Sequence, residues 1–106
     1  MNPKIQTIVA ELHRQFESLY GDRMVRMVLF GSQARGDAEP GSDIDILIVL
    51  RELASPGREI SRTGEITAAL SLSYDVVISC TFISADCYAM EQSPLLLNVR
   101  REGVPV

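Results

Sequence analysis

The sequence predicts an α/β domain in which helices pack on a small sheet. Three observations carry that prediction. Short runs rich in Ile, Val, Leu and Phe (MVRMVLF, DIDILIVL, YDVVISC) alternate with longer stretches whose apolar residues recur at helical spacing. Asn-Pro and Ser-Pro pairs stand where the helical stretches begin, and glycines follow two of them. The 106 residues, 46% of them hydrophobic, suit one domain, residues 1–106, around one core.

The elements follow in order. Asn2-Pro3 sets a capping side chain before a proline at the first helical position. Ile5, Ile8, Val9, Leu12, Phe16 and Leu19 then keep a helical period until Gly21. Met24 to Phe30 is a β-rich run that stops at Gly31-Ser32, and Ser32 is placed to cap a short helical turn, Gln33-Ala34-Arg35. GDAEPGS, residues 36–42, is turn chemistry throughout. Asp43 to Leu50 reads as the second strand; the short connection lets it lie beside the first without fixing its direction. Ser55-Pro56 opens a helix towards Leu72, weakened by Gly64. Tyr74 to Cys80 reads as the third strand. Ser84 caps another helical stretch, Ser93-Pro94 opens one through Arg101, and Gly103 precedes a short edge strand, Val104 to Val106. Met24, Met27 and Met90 read as core filler and His13 as a structural side chain beside the first helix's apolar stripe. Arg100 and Arg101 suit a helix C-terminus.

Charge narrows the function. A net charge of −4 argues against sequence-independent binding to nucleic acid, which rests on neutralising phosphates with Lys and Arg. An anionic ligand would need a local site, with a cation in it. Cys80 and Cys87 fit no zinc spacing and are expected to be reduced, mostly buried thiols. With no apolar run of membrane-spanning length and no signal peptide, the expectation is a soluble cytoplasmic protein without membrane contact.

Within the second strand two aspartates interrupt an apolar run. Asp43 and Asp45 point to one face about 6.5–7 Å apart, while Ile44, Ile46, Ile48 and Leu50 line the other. Such a pair is either a solvated strand start or a ligand pair for a hard cation; magnesium is often held by one or two carboxylates and substrate phosphates. The preceding turn favours the second reading. Gly31 lets the backbone turn without a side chain, and the amides that follow can receive a phosphate. Ten residues separate Ser32 from Asp43, enough to bring the phosphate turn and the carboxylates to one edge of the sheet. A Walker A loop is excluded, because no Lys-Ser or Lys-Thr follows the glycine. If the Tyr74–Cys80 strand neighbours the second, Asp75 converges on the pair, binds metal and accepts the proton of an attacking hydroxyl; otherwise it is a solvated strand-start residue.

Gly31-Ser32, ten residues and Asp43-Ile44-Asp45 resemble the signature of the polymerase-β nucleotidyltransferase superfamily. The longer string GSQARGDAEPGSDIDILIVL resembles its smallest branch, the minimal nucleotidyltransferases that serve as antitoxin partners of HEPN-domain toxins. The resemblance covers nearly the whole chain, including the terminal NVRREGVPV. It implies a minimal nucleotidyltransferase fold with a small mixed sheet. It also implies a triphosphate on Gly31, Ser32 and Arg35, Mg2+ on Asp43 and Asp45, and Asp75 as third catalytic acid and metal ligand. Gln33 stands where many relatives carry arginine. The implied activity is transfer of AMP from ATP to a tyrosine of a cognate HEPN-type toxin, within a hetero-oligomer. The alternative is a catalytically silent module of the same fold that neutralises its partner by occlusion.

Overall fold

The computed structural model describes residues 2–106. The first helix, α1 (Pro3–Tyr20), begins as its sequence requires: the Asn2 side chain accepts the Lys4 amide at 2.7 Å and proline occupies the first turn. Its apolar stripe buries Ile5, Ile8, Val9, Leu12 and Phe16 and ends on Tyr20. Leu19, expected in that stripe, is 43% exposed instead, because the final inward position falls to the residue four after Phe16. A single 3-10 turn, Gly21–Arg23, leads into β1 (Met24–Phe30). A four-residue helix, α2 (Ser32–Arg35), and the loop after it connect to β2 (Ile44–Leu50). Then come α3 (Pro56–Tyr74), β3 (Ile78–Ser84), α4 (Ala85–Met90), α5 (Pro94–Glu102) and β4 (Val104–Pro105). Ser55, Ser84 and Ser93 each accept an amide hydrogen bond as the N-cap of their helix.

The sheet order is β3-β2-β1-β4. β1 runs antiparallel to both β2 and β4, whereas β2 and β3 are parallel and joined through α3, so the sheet is mixed. Alternation along the strands feeds two cores. Met27, Leu29, Ile44, Ile46, Ile48, Leu50 and Phe82 face α1 and α3. Val28, Leu47 and Val49 face the other way, against Leu96 and Val99 of α5 and the half-buried Ala85 and Tyr88 of α4. Asp45 shares the face of Leu47 and Val49 by the two-residue period, and its partner on β1, Phe30, packs on that side as well.

The third strand differs from expectation. Tyr74 ends α3 and β3 starts at Ile78, because Leu70 and Tyr74, one helical turn apart, both pack on the main core. The strand then runs on to Ser84, since Cys80 and Phe82 sit beside Ile46 and Ile48 on the same face. Two other expectations need correction. Met90 is 77% exposed at the end of α4, and Cys87 is exposed on that helix, while Cys80 is half-buried and burial pushes its thiol up to about 12. His13 is structural: its Nδ1 lies 2.8 Å from the Val106 carbonyl oxygen, tying α1 to the end of the edge strand. No helix among the described residues is long and apolar enough to cross a membrane.

Candidate active site

The end of β1 and the start of β2 are adjacent, since Phe30 pairs with Asp45. This puts the Gly31 turn against Asp45. Gly31 has φ 75° and ψ −158°, and a Cβ built on it would lie 2.5 Å from Asp45 Oδ2. Only glycine fits, for two separate reasons: the positive φ and the carboxylate pressed against the backbone. Gly31 itself is the N-cap of α2; Ser32 is the first helical residue and makes no side-chain cap, contrary to the expected Ser32 cap. The turn is closed by the Ala34 and Arg35 amides, which both donate to the Gly31 carbonyl at 3.1 Å.

Electrostatics mark Asp45. Burial first, and the neighbouring Asp43 second, raise its carboxyl above the ordinary range, while the Arg35 guanidinium pulls the other way. Arg35 is held by two carboxylates: Nε donates to Asp37 Oδ2 and Nη1 to Glu102 Oε2, both at 3.1 Å. The expected phosphate ligand is thus engaged with acids, one of them on α5, while its field still reaches Asp45. Gln33 donates to the Ser42 carbonyl at 3.4 Å and so pins the loop that leads into the acids. Asp43, exposed just before β2, and Asp45, the second residue of β2, repel one another with Arg35 offsetting part of it, and a glycine backbone presses on Asp45; this is a donor set that suits a divalent cation shared with phosphate oxygens.

Asp75 is not brought into that set. It caps α3 in the left-handed region (φ 53°, ψ 55°), the one non-glycine of positive φ among the described residues. Its amide and that of Val76 both donate to the Ser71 carbonyl, closing the helix. The strand expected to carry Asp75 therefore begins three residues later. The position beside Asp45 on β3 belongs to Ser79. Among the described residues no three His, Cys, Asp or Glu side chains form a metal-holding group. Asp75 lines a cavity of about 480 Å³ with Lys4 of α1, Val76, and Gln33, Gly41 and Ser42 of the segment between Gly31 and Asp43, so this cavity adjoins the acid pair. The sequence carried a sign of this: aspartate tolerates the left-handed conformation better than most residues, and TFIS continues the β-rich run past Cys80.

Comparison with known proteins agrees with this geometry. The model of the nucleotidyltransferase domain family matches residues 9–98. The chain is 36% identical over 76 residues to "Putative protein adenylyltransferase MJ0141" of Methanocaldococcus jannaschii, covering 72% of this chain and 76% of that protein. Among solved structures it resembles one described as a toxin-antitoxin with AMP-PNP, with a TM-score of 0.65 and 19% identity. That match covers 98% of this chain and 72% of the other. It also resembles the structure of a minimal nucleotidyltransferase, described there as putative, with a TM-score of 0.60 and 25% identity over 100% of this chain and 97% of the other. With a glycine turn seated on Asp45 at the end of the two central strands of a mixed four-stranded sheet, the chain has the fold of a minimal nucleotidyltransferase and belongs to the nucleotidyltransferase domain family.

Proposed function

We propose that this protein transfers AMP from ATP to a tyrosine hydroxyl on a partner protein, a HEPN-type toxin, and thereby silences it in the cytoplasm. The observation that carries the reading is the contact between Gly31 and Asp45, which brings the turn after β1 onto a carboxylate at the start of β2, two residues after Asp43. Support for the donor and acceptor class comes from the adenylyltransferase named among its relatives and from the toxin-antitoxin structure that shares its fold. Asp43 and Asp45 would hold Mg2+, and the backbone around Gly31 and Ser32 would receive the triphosphate. Magnesium, when bound, supplies charge neutralisation at the phosphates and polarises the phosphorus under attack. The acceptor oxygen forms a bond to the α-phosphorus, the bond from that phosphorus to the bridging oxygen breaks, and pyrophosphate leaves; the hydroxyl proton passes to water. The residues of the chain act by orientation and charge rather than by covalent chemistry.

A non-catalytic reading, neutralisation by occlusion alone, is favoured by one observation: Ser79 and not an acid stands beside Asp45. One experiment separates the two. The chain, ATP, Mg2+ and the cognate toxin are incubated together and the toxin is weighed by mass spectrometry. Addition of AMP units to tyrosine, lost in Asp43→Asn, is the expected outcome. A toxin neutralised without added mass would establish occlusion.

A further inference from the structure

We propose that Lys4, the chain's single lysine, holds the terminal phosphates of the bound nucleotide, the part that leaves as pyrophosphate. The inference rests on the nucleotidyl-transfer reading and deepens it. A short turn joins the end of α1 to the start of β1, so the helix's first residues return to the end of the sheet that carries Gly31 and Asp45. There Lys4 and Ile5 form one wall of the cavity whose other walls are Gln33, the 38–42 loop and the segment from Asp75 to Val77. Ser42 directly precedes Asp43. Gln33 follows the Gly31-Ser32 turn and donates to the Ser42 carbonyl at 3.4 Å, so the cavity adjoins both the turn and the acids.

Charge carries the assignment. Glu39 and Asp75 line the cavity and Asp43 and Asp45 stand beside it, and the only cation among its lining residues is Lys4. Arg35 is already shared by Asp37 and Glu102. Lys4 is exposed, and among the described residues its ammonium makes no ion pair. A metal on the acids offsets the phosphate oxygens it touches, but the rest of a triphosphate extends beyond it and stays anionic. Lysine is a mobile point charge with several N–H donors and no acceptor, which suits that tail and not a nucleoside. In the transfer step the bond from the α-phosphorus to the bridging oxygen breaks, and its electron pair stays with pyrophosphate. The ammonium donates hydrogen bonds to that leaving group and keeps its own proton.

The test varies the phosphate tail. Dissociation constants for a non-hydrolysable ATP analogue and for AMP, each with Mg2+, are measured on the full chain by displacement of a fluorescent ATP analogue. Lys4→Gln should weaken the ATP analogue about tenfold or more and AMP by less than about twofold, and Lys4→Arg should recover most of the loss. Arg58→Gln makes the same change of net charge in the first turn of α3, beyond the far end of β2, and should leave both constants unchanged. Because Lys4 is exposed, its variants should melt with the wild type when no nucleotide is present. An ATP analogue bound equally well by Lys4→Gln would make Lys4 a counter-ion of Glu39 and Asp75 and overturn the proposal. Equal losses for the ATP analogue and AMP would also overturn it, placing the lysine at the nucleoside or the α-phosphate. A matching loss in Arg58→Gln would reduce the effect to overall charge. A wild type that binds no nucleotide with Mg2+ would instead refute the nucleotidyl-transfer reading on which the proposal stands.

Discussion

Asp45 enters the site from a strand whose other members are all apolar and buried, and burial and Asp43 together lift its carboxyl above the ordinary range. That has a signed consequence for stability. With the folded value above the unfolded one, the folded state holds more proton across the interval between them, so stability falls as pH rises through it. Above the raised value the penalty is constant; below the ordinary carboxylate range it vanishes. Asp45→Asn removes the charge at every pH. Without metal, the variant should be more stable near neutrality by about 0.5–1 kcal/mol, a few degrees in melting temperature. The gain should shrink as pH falls through the carboxylate range, where the wild-type carboxyl takes up its proton. Paired melts across that range measure it. A variant less stable at neutrality would show that the carboxylate makes a structural bond. At this scale the approach of Asp45 to the Gly31 turn was legible in the sequence, because a glycine ends the first strand and the spacing lets the second strand return beside it. The engagement of Arg35 by Asp37 and Glu102 was not, because Glu102 is 67 residues away along the chain.

At the opposite end of the sheet, α1 and α3 are locked together by a buried polar contact. The Tyr20 hydroxyl donates to Glu59 Oε1 at 2.7 Å, Arg62 lies 3.6 Å from the same carboxylate, and Glu59 is only 4% exposed. A buried carboxylate is tolerable only while its bonds are made. Burial, followed by the bond to Glu59, pushes the Tyr20 phenol well above its usual value, so it stays a donor at working pH. Tyr20→Phe should cost about 1–2 kcal/mol in denaturant unfolding while leaving nucleotide affinity unchanged. An equal loss of affinity would mean that this end communicates with the site. The elements themselves were largely readable: the caps at Asn2, Ser55, Ser84 and Ser93 appear where the sequence puts them. The third strand was misplaced because Tyr74, Val76 and Val77 favour strands locally, whereas packing of Tyr74 on the core extends the helix.

For the whole molecule, nucleotide binding and folding are linked. A ligand that binds only the folded chain stabilises it by about 2.7 kcal/mol at a hundredfold excess over its dissociation constant. ATP and Mg2+ together should therefore raise the melting temperature well beyond either alone, and a chelator should cancel the rise. An equal shift with ATP and chelator would take the metal out of the site. The sequence by itself determined the α/β class, the order of most elements and the Gly31 to Asp45 constellation, since hydrophobic period, caps and turn chemistry act over a few residues. Only the tertiary structure decided that β2 and β3 run parallel and that their register sets Ser79 beside Asp45. It also decided that Asp75 caps a helix, at the rim of a cavity that the loop before Asp43 also lines. Register is a property of two strands at once: a slip of one residue turns every side chain to the other face, so the burial of Cys80 and Phe82 fixes what stands next to Asp45.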